Sequence, residues 1–117
     1  MILDEMAQIG HIGEYQIYVR TNDPGKIPHF HIWDYETMGQ KFHTCVQIKD
    51  AKYFHHTGKE GTLNSEERKE LDSFLRQPFR TDKFSSNWEL LIFEWNLNNS
   101  DTMIPEDFHQ PDYTKLQ

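Results

Sequence analysis

Two histidines one residue apart, in the run Asn22-Asp23-Pro24-Gly25-Lys26-Ile27-Pro28-His29-Phe30-His31-Ile32, have residue types and spacing suited to chemistry. Side chains alternate along a strand, so His29 and His31 share one face and Phe30 and Ile32 take the other. Imidazole titrates near neutrality and carries nitrogen lone pairs, so the pair can ligate a metal, move protons or line a polar face. A metal centre needs three or four donors. His43 on a neighbouring segment is a third donor, and Asp23, Glu36, Cys45 or the His55-His56 pair could complete the set. Zinc or another divalent transition ion suits such ligands. Proton transfer would instead use His29 and His31, with Arg20 holding a phosphate and Tyr18 orienting a ring, as in metal-free RNA cleavage. No Cys-x-x-Cys or His-Glu-x-x-His spacing accompanies the pair, so a hydrogen-bonded polar sheet face is the reading that asks least of it. Cys45 has no activating base at a fixed spacing and reads as a passive thiol. Neither a Gly-rich phosphate loop nor a nucleophile elbow is found, and no other motif calls for a cofactor.

Strands must position these residues. From Glu14 to Arg20, Tyr15, Ile17 and Val19 alternate with Gln16, Tyr18 and Arg20, the pattern of a half-buried strand. A second strand over His29–Tyr35 follows a loop punctuated by Asn, Asp, Gly and Pro, and Gly39 marks the hairpin connection beyond it. A third, about Lys41–Lys49, sends Phe42, Thr44, Val46 and Ile48 one way and Lys41, His43, Cys45 and Gln47 the other. Lys52–His56 reads as a fourth strand or as a continuation past a bend at Asp50. In an antiparallel meander the core face collects Tyr15, Ile17, Val19, Phe30, Ile32, Phe42, Val46 and Ile48. The opposite face then collects Tyr18, Arg20, His29, His31, Trp33, His43 and Cys45.

The period then changes to helical. Asn64 and Glu67 have capping-box spacing ahead of Leu71, Phe74 and Leu75, and Pro78 ends the run. Ser86 and Glu89 repeat the spacing ahead of Trp88, Leu91, Ile92 and Trp95. Leu90, Phe93 and Leu97 add a second stripe on that helix, fit for burial or for a contact with a second copy.

A chain of 117 residues suits one domain. Residues 1–13, with two glycines and no clear period, read as a lead-in, residues 14–98 as the domain, and residues 99–117 as an acidic polar tail draped on the surface or mobile. The fold expected is α+β: a three- or four-stranded, mainly antiparallel sheet with two C-terminal helices on one face. The net charge of −7 and the absence of a Lys/Arg run count against nucleic acid. The single cysteine excludes an intrachain disulfide, and no signal-peptide pattern or membrane-length apolar stretch is present, so a cytoplasmic, membrane-free location is expected.

Tyr15-Gln16-Ile17-Tyr18-Val19, Asn22-Asp23, Pro28-His29-Phe30-His31-Ile32 and Asn87-Trp88-Glu89-Leu90, in this order, resemble a small bacterial family of unknown function. Its members carry an Asn-Asp-x-x-Pro-Pro-His-Phe-His-Val-like segment and a closing Asn-Trp-Glu. The resemblance covers roughly Glu14–Leu97; Ile27 stands where the family often has a first proline, and Tyr53–Gly61 is longer here. It implies a toxin–antitoxin-like or mobile-element setting and carries no reaction over to His29 or His31. The resulting expectation is a protein-binding or regulatory module acting through the His29/His31/Arg20 face on a protein partner or a second copy. A histidine- or metal-dependent nuclease or hydrolase, with His29, His31 and His43 as metal candidates, and an oligomeric structural protein are the alternatives.

Overall fold

Four antiparallel strands in the order β1-β2-β3-β4 form one sheet: β1 (Met6–Ile12), β2 (Tyr15–Arg20), β3 (His29–Asp34) and β4 (His43–Gln47). Two helices follow, α1 (Ser65–Arg76) and α2 (Asn87–Asn98), then short 3-10 turns at Ser100–Thr102 and Tyr113–Lys115. This computed structural model describes residues 6–21, 27–55, 61–78 and 83–117. The α+β class and the two C-terminal helices expected from the pattern are present. No described helix is long and apolar enough to cross a membrane.

The fourth strand lies at the N-terminal edge. Met6–Ile12 pairs with β2 from Met6↔Arg20 to Ile12↔Tyr15, where the sequence suggested only a lead-in. A bulge hides the strand from periodicity, because pairing jumps from Gln8↔Tyr18 to Gly10↔Ile17 and leaves Ile9 as the extra residue. Ile9 and Ile12 are therefore both buried at a spacing of three, which no strict alternation allows. Gly10 is needed at this point, since a Cβ there would run into the Phe74 ring of α1. The segment after β4 forms a bridge rather than a strand. Val46 pairs with Tyr53, Phe54 N–H donates to Cys45 O at 2.8 Å, and Gly61 N–H donates to His43 O at 2.9 Å.

Both helices begin where the capping residues stand. Asn64 accepts from Glu67 N–H and Glu67 accepts from Asn64 N–H, both at 2.8 Å. At α2, Ser86 accepts from Glu89 N–H at 3.2 Å, but the Glu89 carboxylate turns back to Ser85, accepting its N–H at 3.0 Å and its hydroxyl. Leu71, Leu75, Leu91 and Trp95 join Ile17, Val19, Phe30, Ile32, Val46 and Ile48 in the core. On the outer stripe of α2, Leu90 is buried, while Phe93 and Leu97 are exposed.

Residues 99–117 belong to that core instead of draping over it. Ile104, Tyr113 and Leu116 are buried, and Asn96 holds Ile104 in both directions, accepting its N–H at 2.7 Å and donating to its carbonyl at 2.8 Å. The Tyr113 hydroxyl donates to Ile48 O at 2.7 Å, and burial, then the charges of Asp72 and Asp50, push its pKa well above the ordinary value.

The connection from β3 to β4 determines how those strands align. Asp34 accepts the N–H groups of Thr37 at 2.8 Å, Phe42 at 3.0 Å and Lys41 at 3.2 Å, together with the Thr37 hydroxyl. Gly39 turns the chain at φ +92°, and a Cβ there would meet Trp33 at 2.7 Å. The Thr37 hydroxyl, helped by the Thr37, Phe42 and Lys41 amides and opposed by burial, draws the Asp34 carboxyl from 3.8 to about 2. A lowered folded pKa means that its stabilising contribution is complete above about pH 4 and disappears as the pH falls toward 2. Carbon-detected NMR titration of the Asp34 carboxyl is expected to give a midpoint near 2. A midpoint at the ordinary 3.8 would mean that these hydrogen bonds do not hold the turn in solution.

Candidate metal centre

Strand pairing brings three donor side chains together. In the β3–β4 ladder His31 stands opposite Cys45, and His43 stands opposite Trp33, diagonal to His31. Side chains in such positions on one face lie close enough to touch. His31 Nδ1 lies 3.0 Å from His43 Nε2 and 3.3 Å from Cys45 Sγ, and Cys45 Sγ lies 3.9 Å from His43 Nε2. With Zn–N near 2.0–2.1 Å and Zn–S near 2.3 Å, the edges of a tetrahedral site run roughly 3.3–3.6 Å. The observed triangle brackets those edges, so small side-chain adjustments place all three atoms on one ion. These three residues form a group able to hold a metal ion.

The rings are held from both sides. Tyr18 of β2 stacks on His31 at 4.8 Å between centroids and 15° between planes, and His43 stacks on its other side at 5.3 Å and 14°. Trp33 leans on Tyr18 at 4.7 Å, with its indole N–H donating to Gln16 Oε1 at 2.8 Å. His31 and Cys45 are buried, and His43 is half-buried, so the cluster meets solvent at its His43 corner.

The polar face of the sheet is thus largely covered, although the alternation alone left it open. Tyr18, His29, His31 and Cys45 are all buried there. His29 lies outside the triangle of donors. Its Nδ1 is 2.8 Å from the Ile27 carbonyl, which can only accept, so this nitrogen carries the proton. Its ring packs against Phe54 at 4.3 Å and Trp95 at 5.7 Å. Arg20 is exposed at the end of β2, where its carbonyl accepts from Asn99 Nδ2 at 2.9 Å. Its guanidinium makes no hydrogen bond or ion pair among the described residues.

Of the other donors considered, Glu36 pairs with Lys41 at 3.6 Å on the surface and His55 is exposed, while Asp23 and His56 lie outside the described residues. Cys45 is the donor that sequence reasoning undervalued. Its signal was His43-x-Cys45 on the strand next to His31, a parity match that counts only once the two strands are in register.

The fold and site define an α+β protein with a His/His/Cys cluster on the covered face of its sheet. Comparisons with protein-family models, with curated proteins and with solved structures give no match to this chain.

Proposed function

We propose that this protein binds one transition-metal ion of the zinc class through His31, His43 and Cys45, and that the loaded form is a regulatory binding module. The observation that carries this reading is the convergence of two imidazole nitrogens and a thiol sulfur, from two adjacent strands, within 3.0–3.9 Å of one another. A mixed nitrogen and sulfur set favours Zn²⁺ over the harder Mg²⁺ and Ca²⁺, which prefer oxygen. Three protein donors leave a fourth position for water or a small ligand, as in catalytic zinc sites. Burial of His31 and Cys45 favours a regulatory role over a hydrolase, because a polymer substrate could approach only past His43. In the toxin–antitoxin-like or mobile-element setting implied by the family resemblance, such a centre would make partner recognition depend on metal.

Titrating metal-free protein with Co²⁺ tests this directly. One equivalent is expected to bind and to produce the near-ultraviolet charge-transfer absorption of a cobalt–thiolate bond. Cys45→Ala should remove that absorption, and His43→Ala should weaken uptake by about 100-fold or more, the scale of losing one of three ligands. His29→Gln should leave uptake unchanged, because His29 stands opposite Gln47 and is not among the three residues whose donor atoms converge. No uptake, or uptake indifferent to both Cys45→Ala and His43→Ala, would overturn the proposal.

A further inference from the structure

A second feature, independent of the His/His/Cys cluster, lies beside the first half of α2. Phe84 from the preceding loop and Phe93 of α2 pack at 5.2 Å between centroids, with planes tilted by 56°. They form one wall of a pocket of about 480 Å³, completed by Ile92, Glu89, Glu106 and Asp107. Ile92 and Phe93 fall three and four residues after Glu89, which places all three on one side of the helix.

A cation already occupies the aromatic wall. The Lys83 ammonium lies 5.0 Å from the centre of the Phe93 ring and 5.6 Å from that of Phe84. Ring faces carry partial negative charge and attract such a group. Lys83 makes no ion pair among the described residues, although three carboxylates line the same pocket. Glu89 is engaged by the Ser85 amide and hydroxyl. Glu106 and Asp107 are exposed, and their side chains have no hydrogen bond or ion pair among the described residues. The pocket therefore joins a cation-binding aromatic wall to two uncommitted carboxylates, with Lys83 covering only the wall.

We propose that this pocket receives an arginine side chain of a partner protein, its guanidinium displacing Lys83 from Phe84 and Phe93 and pairing with Glu106 and Asp107. Arginine suits both walls, because its planar head stacks on rings and offers a fork of N–H donors to carboxylates. Charge complementarity selects a basic protein segment and disfavours nucleic acid, in keeping with the net charge of −7. Lys83 then acts as an internal competitor whose removal strengthens binding.

The test is an NMR titration of the full chain with N-acetyl-arginine-methylamide, following the amides of Phe84, Phe93, Glu106 and Asp107. Saturable shifts are expected at these four positions, and the norleucine analogue should produce none. Combining Glu106→Gln with Asp107→Asn, both on the surface, should weaken the arginine probe about fivefold or more, while Lys83→Ala should tighten it about threefold. Absence of pocket shifts up to the solubility limit of the probe would overturn the proposal. So would weaker binding after Lys83→Ala, together with shifts from inorganic phosphate, because the pocket would then be an anion site organised by Lys83.

Discussion

Ending the chain at Asn99 is expected to abolish cooperative folding, or to lower the melting temperature by more than about 15 °C. The deleted residues include Ile104, Tyr113 and Leu116, all buried. Withdrawing each from the core costs about 1.5–3 kcal/mol of apolar burial, so the three together approach the roughly 5–15 kcal/mol by which a whole domain is stable. The chain entropy regained by a freed tail offsets part of this. It cannot restore what the tail covers. Trp88 and Trp95 lose the carbonyls of Phe108 and Thr102 that accept their indole N–H groups at 2.9 and 2.8 Å, and both rings become exposed to water. Tyr53 N–H and Ala51 O lose their bonds to Gln117, which tie the segment after β4 to the C-terminus. Circular dichroism melts compare the truncated chain with two point variants. Tyr113→Phe should cost about 1–2 kcal/mol for the hydroxyl bonded to Ile48, and Tyr113→Ala about 3–5 kcal/mol for the ring as well. A truncated chain that melts within about 2 °C of the full chain would mean that the tail is only draped on the surface.

The contrast between this segment and the sheet shows which features local pattern encodes. Strands β2, β3 and β4 were legible because one apolar face forces strict alternation, as in Tyr15, Ile17 and Val19 or Phe30 and Ile32. Both helix starts were legible because a cap is a short-range hydrogen bond between residues three apart. Strand β1 escaped because the extra residue Ile9 breaks its parity, and the Phe74 ring that packs over Gly10 beside it lies more than sixty positions away. The tail escaped because its anchors Ile104, Tyr113 and Leu116 enter the core singly, nine and three positions apart, so no period accumulates. At the site, parity placed His31, His43 and Cys45 on one face. Their convergence depends on register, which the Asp34-centred turn between Tyr35 and Phe42 sets. The same register separates His29 from the cluster, since it stands opposite Gln47 and outside the group formed by His31, His43 and Cys45.

Saturating zinc is expected to raise the melting temperature of the intact chain by about 15 °C. Free zinc at about 1,000 times its dissociation constant stabilises the folded state by about 4 kcal/mol, and a domain of this size gains roughly 4 °C per kcal/mol. The gain depends on the donors being gathered only in the folded protein. His31 and Cys45 come from different strands, so an unfolded chain must close the intervening loop before it can offer more than the adjacent His43 and Cys45. The three donor atoms contact one another at 3.0, 3.3 and 3.9 Å. Scanning calorimetry with and without zinc separates a metal centre from a merely polar cluster. A metal centre gives a large shift that falls below about 3 °C in Cys45→Ala and persists in His29→Gln. A polar cluster gives no zinc shift in any variant, and Cys45→Ala then costs only about 1 kcal/mol, the ordinary consequence of trimming a small buried side chain. The two variants make the outcome specific, because Cys45 and His29 are both fully buried and only one of them belongs to the triangle of donors. A shift lost equally in both would add His29, whose ring lies 5.2 Å from that of His31, to a donor set that still includes Cys45.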